Sequence, residues 1–125
     1  RLDRGGLQRR SEERGIMQRV AQWAADVPEE TLNLLELSQV AGVSLRQLQS
    51  AFKAFTGMAP SQWLRLRRLN SAHRELLSRG PTETTVAEVA MHWSFWHLGR
   101  FSSSYRALFK ELPSQTLKRS AVARR

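Results

Sequence analysis

Residues 33–57, NLLELSQVAGVSLRQLQSAFKAFTG, carry two helix starts and two helix stops in one short stretch. Asn33 and Ser44 are residue types that cap helix N-termini, and Glu36 stands three positions after the first cap, where it can bond back to the cap amide. Gly42 and Gly57 each follow an apolar segment, and glycine readily takes the left-handed conformation that ends a helix. The stretch therefore predicts a short helix over 34–41, a tight turn and a second helix that ends before 57.

The second of these helices has one apolar face. Leu48, Ala51, Phe52 and Phe55 recur at i, i+3, i+4 and i+7, which is the spacing of one side of an α-helix. We expect these four side chains in the core. The polar residues between them are then left on the opposite side.

The chain repeats this pattern further along. PSQWLR at 60–65 recurs as PSQTLK at 113–118, an offset of 53, and NLLEL at 33–37 corresponds to TVAEV at 85–89 with an offset of 52. One extra residue therefore lies in the second turn, around 94–96. The repeat predicts a second apolar face formed by Phe101, Tyr105 and Leu108.

Each copy is thus a short helix, a tight turn and a second helix. This arrangement is the helix-turn-helix, which places its second helix in the DNA major groove. Two copies in register are far more informative than one, since many helical bundles contain a single helix pair with a glycine turn.

The rest of the chain also follows a helical period, so we predict an all-α fold of about seven helices. We expect a linker at 1–11, because this segment is charged and contains Gly5-Gly6, and a helix over 12–26 that ends at Val27-Pro28. The first helix-turn-helix subdomain, with a long connector helix at 60–78, covers 12–78; the second covers 79–120, and 121–125 form a basic tail.

The charge of the chain indicates a polyanionic partner. The net charge is +9, and residues 44–125 hold 14 of the 20 Lys and Arg residues but only 4 of the 11 Asp and Glu residues. Double-stranded DNA is the partner that best fits a basic helix-turn-helix protein. The alternative is a basic module that binds RNA or an acidic protein partner.

Several function classes are disfavoured. The chain has no cysteine, which excludes disulfides and thiol chemistry and fits a reducing cytoplasm. No apolar run is long enough for a membrane span or a signal peptide. His73, His92 and His97 show no metal-ligand spacing, and no nucleophile or phosphate-loop motif is present, so we expect no enzyme, no cofactor and no metal site.

Residues 32–118 resemble the DNA-binding domain of the AraC/XylS family of transcription regulators. The resemblance rests on the following residues and short motifs: Leu37, Ala41-Gly42-Val43-Ser44, Leu48, Phe52-Lys53, Thr56-Gly57, Pro60, Trp63-Leu64, Arg68-Leu69, Ala72, Val86, Glu88-Val89-Ala90, Phe95, Phe101, Phe109 and Pro113. It implies two homeodomain-like helix-turn-helix units joined by a connector of roughly 28 Å, at 1.5 Å per residue.

The resemblance also implies a biological setting. It suggests a bacterial transcription activator that works in the cytoplasm on the nucleoid, with RNA polymerase as a further partner and a missing N-terminal effector or dimerisation domain. The chain departs from the family pattern at three positions: Ser94 and Lys110 stand where glycine is usual, and Trp96 stands where a small capping residue is usual and cannot cap.

Residues on the open sides of the two second helices are the candidates for DNA contact. Arg can bond guanine O6 and N7, and Gln can bond adenine N6 and N7. The candidates for base reading are Arg46, Gln47, Gln49, Ser50, Arg100 and Ser103. The candidates for backbone or flanking contacts are Ser44, Lys53, Trp96, His97, Ser102 and Arg106.

Overall fold

The computed structural model describes the backbone of residues 4–26 and 33–123, and the side chains of residues 5–25 and 33–120. In these ranges the chain forms seven helices and no strand, which confirms the all-α prediction. The helices are α1 (Arg4–Asp26), α2 (Leu34–Ala41), α3 (Leu45–Thr56), α4 (Pro60–Arg79), α5 (Val86–His92), α6 (Leu98–Phe109) and α7 (Pro113–Ala123).

Within the expected linker at 1–11, residues 4–11 are helical, because α1 begins at Arg4 and not near residue 12; residues 1–3 lie outside the described residues. Gly5 and Gly6 each cost about 1 kcal/mol in a helix relative to Ala, which disfavours a helix but does not forbid one. Gln8 Nε2 donates to Glu12 Oε1 at 3.5 Å, one turn further along. The helix ends at Asp26 as expected, and the Val27-Pro28 stop lies outside the described residues.

The chain divides into two compact units between Arg65 and Leu66, which is inside α4. The sequence division placed the whole of α4 in the first subdomain, whereas its side chains contribute to both cores. Leu64 packs in the first core and Leu69 packs in the second. At the C-terminus α7 runs to Ala123, into the expected basic tail, and Arg124 and Arg125 lie outside the described residues.

The first core is built by α1, α2, α3 and the start of α4. Its buried members are Ile16, Val20, Ala24, Leu37, Ala41, Leu48, Ala51, Phe52 and Leu64. The rings of Trp63 and Phe52 pack edge to face, with centroids 5.2 Å apart. Arg19 ties α1 to the end of α2, since its Nε and Nη2 both donate to the Ala41 carbonyl at 3.1 and 2.9 Å.

The second core is built by the rest of α4 with α5, α6 and α7. Its buried members are Leu69, Ala72, Leu76, Val89, Ala90, Phe101, Tyr105 and Leu117. Phe95, Phe101, Tyr105 and Phe109 form a run of ring contacts with centroids 4.6–5.7 Å apart.

Phe55 and Leu108, which were expected in the core, are exposed by 45% and 40%. They occupy equivalent positions in the two copies, in the last turns of α3 and α6. The fully buried residues of these helices end at Phe52 and Tyr105, and in the final turn of α6 it is Phe109, not Leu108, that packs against the second core. Leu77, near the end of α4, is likewise 40% exposed.

Candidate nucleic-acid interface

The turn of each unit has the same backbone geometry. Gly42 has φ +69°, its N–H donates to Gln39 O at 3.1 Å, and the Val43 N–H donates to Ser38 O at 3.2 Å. In this Schellman arrangement the left-handed residue closes the helix.

The second turn repeats this arrangement without a glycine. Ser94 has φ +67°, its N–H donates to Met91 O at 3.1 Å, and the Phe95 N–H donates to Ala90 O at 2.8 Å. Lys110 (φ +63°) follows α6 as Gly57 (φ +76°) follows α3. Both departures from the family pattern therefore fall on left-handed positions.

The side-chain caps fix where the second helix of the first unit begins. Ser44 Oγ accepts from the Gln47 N–H at 3.2 Å, and the Ser44 N–H donates to Gln47 Oε1 at 3.0 Å, which completes a capping box. Before α2, Glu36 accepts from the Asn33 side-chain amide at 3.0 Å, so the expected bond to the cap's backbone amide is replaced by a side-chain bond.

The cap of α6 corrects the expectation for Trp96. His97, one residue later, is the N-cap, and its Nδ1 accepts from the Arg100 N–H at 3.0 Å. A Cβ on Gly99 would lie 3.2 Å from His97 Cε1, which is tighter than ordinary contact. The absence of a side chain at Gly99 therefore leaves room for the imidazole to cap. Sequence reasoning missed this cap because histidine is not among the usual capping residues.

In the first unit α3 presents the predicted polar face to solvent. Arg46, Gln49, Ser50 and Lys53 are exposed, opposite the buried Leu48, Ala51 and Phe52. Gln47 is exposed as well, but its side-chain oxygen is held in the capping box. The candidate residues thus lie on one helix face, and Gln47 and Ser44 also fix the start of that helix.

In the second unit α6 presents a similar face. Arg100, Ser103 and Arg106 are exposed, Ser102 is half-buried, and Phe101 and Tyr105 are buried on the other side. Trp96 is 76% exposed just before the cap.

An unexpected neighbour of the α3 face is the N-terminal part of α1. Arg9, Glu12 and Glu13 line a cleft of about 260 Å³ together with Arg46, Gln47 and Ser50. Two carboxylates therefore stand beside the predicted base-reading residues. The sequence held no signal for this, because the helical period of 12–26 does not show which part of α3 this helix lies against.

A network of hydrogen bonds connects α6 to α4 and α7 on the side opposite its exposed face. His73 Nδ1 lies 2.7 Å from the Tyr105 hydroxyl, which donates to Thr116 Oγ1 at 2.7 Å, and Thr116 in turn donates to Glu111. Since the single hydroxyl hydrogen of Tyr105 goes to Thr116, His73 donates from Nδ1. Arg119 Nη2 closes the network on Glu111 at 2.8 Å.

Burial shifts the pKa values of two groups in this hydrogen-bond network. It lowers the pKa of His73, with Glu111 opposing and Arg119 and Arg74 adding to the effect. It raises the pKa of Tyr105. His73 also stacks on Phe109, with ring centroids 4.1 Å apart and planes 8° from parallel. The neutral histidine is therefore the form that fits between α4 and α6.

A carboxylate fixes α5 against α4 in the same unit. Glu75 accepts from His92 Nδ1 at 2.7 Å, from Trp93 Nε1 at 2.8 Å and from Arg79 at 3.0 Å. Burial alone would raise the pKa of Glu75, but these hydrogen bonds outweigh it and the pKa is lowered. The first helix of the second motif is thus held by an ionised group.

The described residues offer neither a metal site nor a membrane-spanning helix. No group of three or more His, Cys, Asp and Glu side chains there could hold a metal ion. None of the helices described has the length and apolar character needed to cross a membrane.

Known proteins share these sequence and structural features. The family described as "Helix-turn-helix domain" matches residues 37–119. A probable AraC family transcriptional regulator from Rhodopseudomonas palustris CGA009 has a similar structure, with a TM-score of 0.70 and 34% identity over 84% of this chain and 96% of that one. An AraC-type regulator from Chromobacterium violaceum has a similar structure with a TM-score of 0.64. It is 27% identical in sequence, and the match covers 95% of this chain and 97% of that one.

Two curated relatives are named as regulators of operons. The XylDLEGF operon transcriptional activator 3 of Pseudomonas putida is 34% identical over 82% of this chain, and the probable thc operon regulatory protein of Rhodococcus erythropolis is 31% identical over 83%. The chain spans 31% of the length of each.

The fold and its two exposed second helices define the class: a double helix-turn-helix, DNA-binding protein. The chain belongs to the AraC/XylS family of transcription regulators, and the resemblance drawn from its sequence is confirmed. This family is a DNA-binding one and not an enzymatic one.

Proposed function

We propose that α3 and α6 each enter the major groove of one duplex and read two adjacent segments of a specific site. One observation carries this proposal: both helices begin at a side-chain cap directly after a left-handed turn, and both have a buried apolar face opposite an exposed polar one. A helix so fixed at its start can present its first turns to base edges.

The base-reading roles follow from exposure and hydrogen-bonding capacity. Arg46 and Arg100 each offer a guanidinium fork to guanine, and Gln49 offers an amide to adenine. Ser50 and Ser103 offer hydroxyls to either. Gln47 is a weaker reader than a free glutamine, because its oxygen accepts from Ser44 and only its NH2 group remains for DNA.

The remaining candidates other than Trp96 hold the phosphate backbone. Lys53 and Arg106 are exposed cations on the faces of α3 and α6. His97 uses Nδ1 in its cap and keeps Nε2 for a phosphate. Ser44 and Ser102 lie at the edges of the two faces. Such contacts position the protein and carry no sequence information.

Because α3 and α6 differ in sequence, one chain prefers a site that is not palindromic. We further propose that the whole protein activates transcription through contact with RNA polymerase. In support, several relatives are named transcriptional activators. The relatives' greater length supports a further domain, for effector sensing or dimerisation, N-terminal to this one. A protein with this function acts in the cytoplasm, where it is bound to the DNA of the nucleoid.

Selection from a random duplex pool with this chain, at near-physiological salt, tests the proposal. The expected result is one asymmetric motif in two parts, about one helical turn apart. Double-stranded RNA as competitor tests the alternative partner. Binding that persists at low salt with no enriched sequence, or equal competition by RNA, would refute sequence reading by this chain.

A further inference from the structure

The two helix-turn-helix units differ by one inserted residue, and the backbone identifies it. Gly42 and Ser94 are both left-handed, and each donates its N–H to the carbonyl three residues earlier. The next residues, Val43 and Phe95, both donate to the carbonyl five residues earlier and both pack against their cores. The two turns therefore correspond up to this point.

The correspondence resumes at the caps. Ser44 and His97 are both N-caps whose side chains accept from the N–H three residues later. Ser44 directly follows Val43, whereas Trp96 stands between Phe95 and His97. Trp96 is thus the inserted residue.

The insertion places a large apolar group in solvent. Trp96 is 76% exposed, more than any other large hydrophobic side chain in the described residues, and no ring contact or hydrogen bond to it is seen there. Leu98, two residues on and 47% exposed, extends the apolar surface. Neither side chain is a member of the second core, so burial in that core does not explain their apolar character.

The position of Trp96 indicates what covers it. It precedes the N-terminal end of α6, where a recognition helix comes closest to base edges. The exposed face that follows holds Arg100, Ser103 and Arg106, a basic and polar surface that suits DNA better than an apolar protein groove. In the major groove the apolar group available to an indole is the C5-methyl of thymine.

We propose that Trp96 is a specificity-determining residue that reads a thymine methyl group at the edge of the segment bound by α6. The inference rests on the proposed function and deepens it by naming the base. A single buried methyl is worth about fourfold in affinity, by the transfer free energy of one CH2 group.

Replacing thymine by uracil tests this without altering the protein. The substitution removes only the methyl and keeps base pairing. Using the duplex selected by the wild-type chain, each thymine of the α6 segment is replaced in turn, and the Kd is measured for the wild type, Trp96→Ala and the control Leu112→Ala. Leu112 is an exposed apolar residue of the same unit that follows the C-terminal end of α6.

For the wild type and Leu112→Ala, we expect uracil at one thymine position to lower the affinity about fourfold. For Trp96→Ala, we expect uracil at that position to leave the affinity unchanged. A wild type that tolerates every uracil, an α6 segment without thymine, or an unchanged uracil penalty in Trp96→Ala would overturn the inference while leaving the proposed function intact. Failure to select any sequence would overturn both.

Discussion

Single residues in left-handed backbone distinguish the two turns. Gly42 takes this conformation freely and has open space where a Cβ would lie. Ser94 holds the same conformation with a side chain, which is strained for an L-residue. The second turn is therefore intrinsically less stable than the first.

Exchanging the two residue types should move stability in opposite directions. Ser94→Gly is expected to raise the free energy of unfolding by about 1 kcal/mol, and Gly42→Ser to lower it by a similar amount. Urea denaturation followed by circular dichroism measures both. A loss of stability in Ser94→Gly would show that the serine side chain contributes more than its backbone costs.

At the residue scale, sequence predicted the positions governed by local chemistry. Asn33, Ser44 and Thr85 are caps because their short polar side chains reach the third amide, whatever lies elsewhere. His97 was missed as a cap because its role depends on the space left by Gly99. Phe55 was misplaced because periodicity identifies a face but not where the core ends along it.

Helix α1 shows what an element can add to a site. Its N-terminal turns bring Glu12 and Glu13 into the cleft shared with Arg46 and Ser50. Carboxylates at this place repel DNA phosphates that approach α3. Arg9 lines the same cleft and opposes this repulsion, so the two carboxylates lower the attraction for phosphate that Arg9 and Arg46 would otherwise provide there.

Neutralising both carboxylates should increase affinity. Glu12→Gln/Glu13→Gln is expected to bind the selected duplex about fivefold more tightly at low salt, from a repulsion of about 1 kcal/mol in water. Fluorescence anisotropy titration measures this. Glu83→Gln, on the segment before α5, controls for the change in net charge, and an equal gain per charge there would rule out a local effect of the cleft.

The packing of α6 on α4 and α7 predicts a pH dependence of stability. Burial lowers the pKa of His73 below its usual 6.5, so the unfolded chain binds a proton more readily than the folded one. The free energy of unfolding is therefore highest above about pH 6.5, where His73 is neutral in both states, and it decreases as the pH falls and the unfolded chain takes up the proton. The groups that face His73 are Tyr105, Phe109, Glu111, Arg119 and Arg74.

Thermal denaturation between about pH 7 and pH 5.5 checks this expectation. The wild type should lose stability over the interval, whereas His73→Gln, which keeps a donor for Tyr105 but does not titrate, should change less. Parallel curves for the two proteins would contradict the assignment. Such long-range pairs were beyond sequence reasoning, since His73 and Tyr105 stand 32 positions apart.

At the scale of the whole molecule, the internal repeat carried the prediction of the fold. It predicted both motifs, because each copy contains its own start, stop and apolar face, and the family resemblance implied the long connector between them. The division into units inside α4 could not be predicted, since a periodic helix shows no sign of where its side chains change from one core to the other.

In the proposed function α3 and α6 read different parts of one site, and one measurement addresses this division of roles. The division is tested most directly by measuring the affinity of the wild type, Arg46→Ala and Arg100→Ala for the selected duplex and for every single base-pair change in it. Each variant should lose about 1–3 kcal/mol and discriminate less at one position, Arg46→Ala in one part of the motif and Arg100→Ala in the other. Equal losses on every sequence, or relaxation of the same position by both variants, would contradict the account.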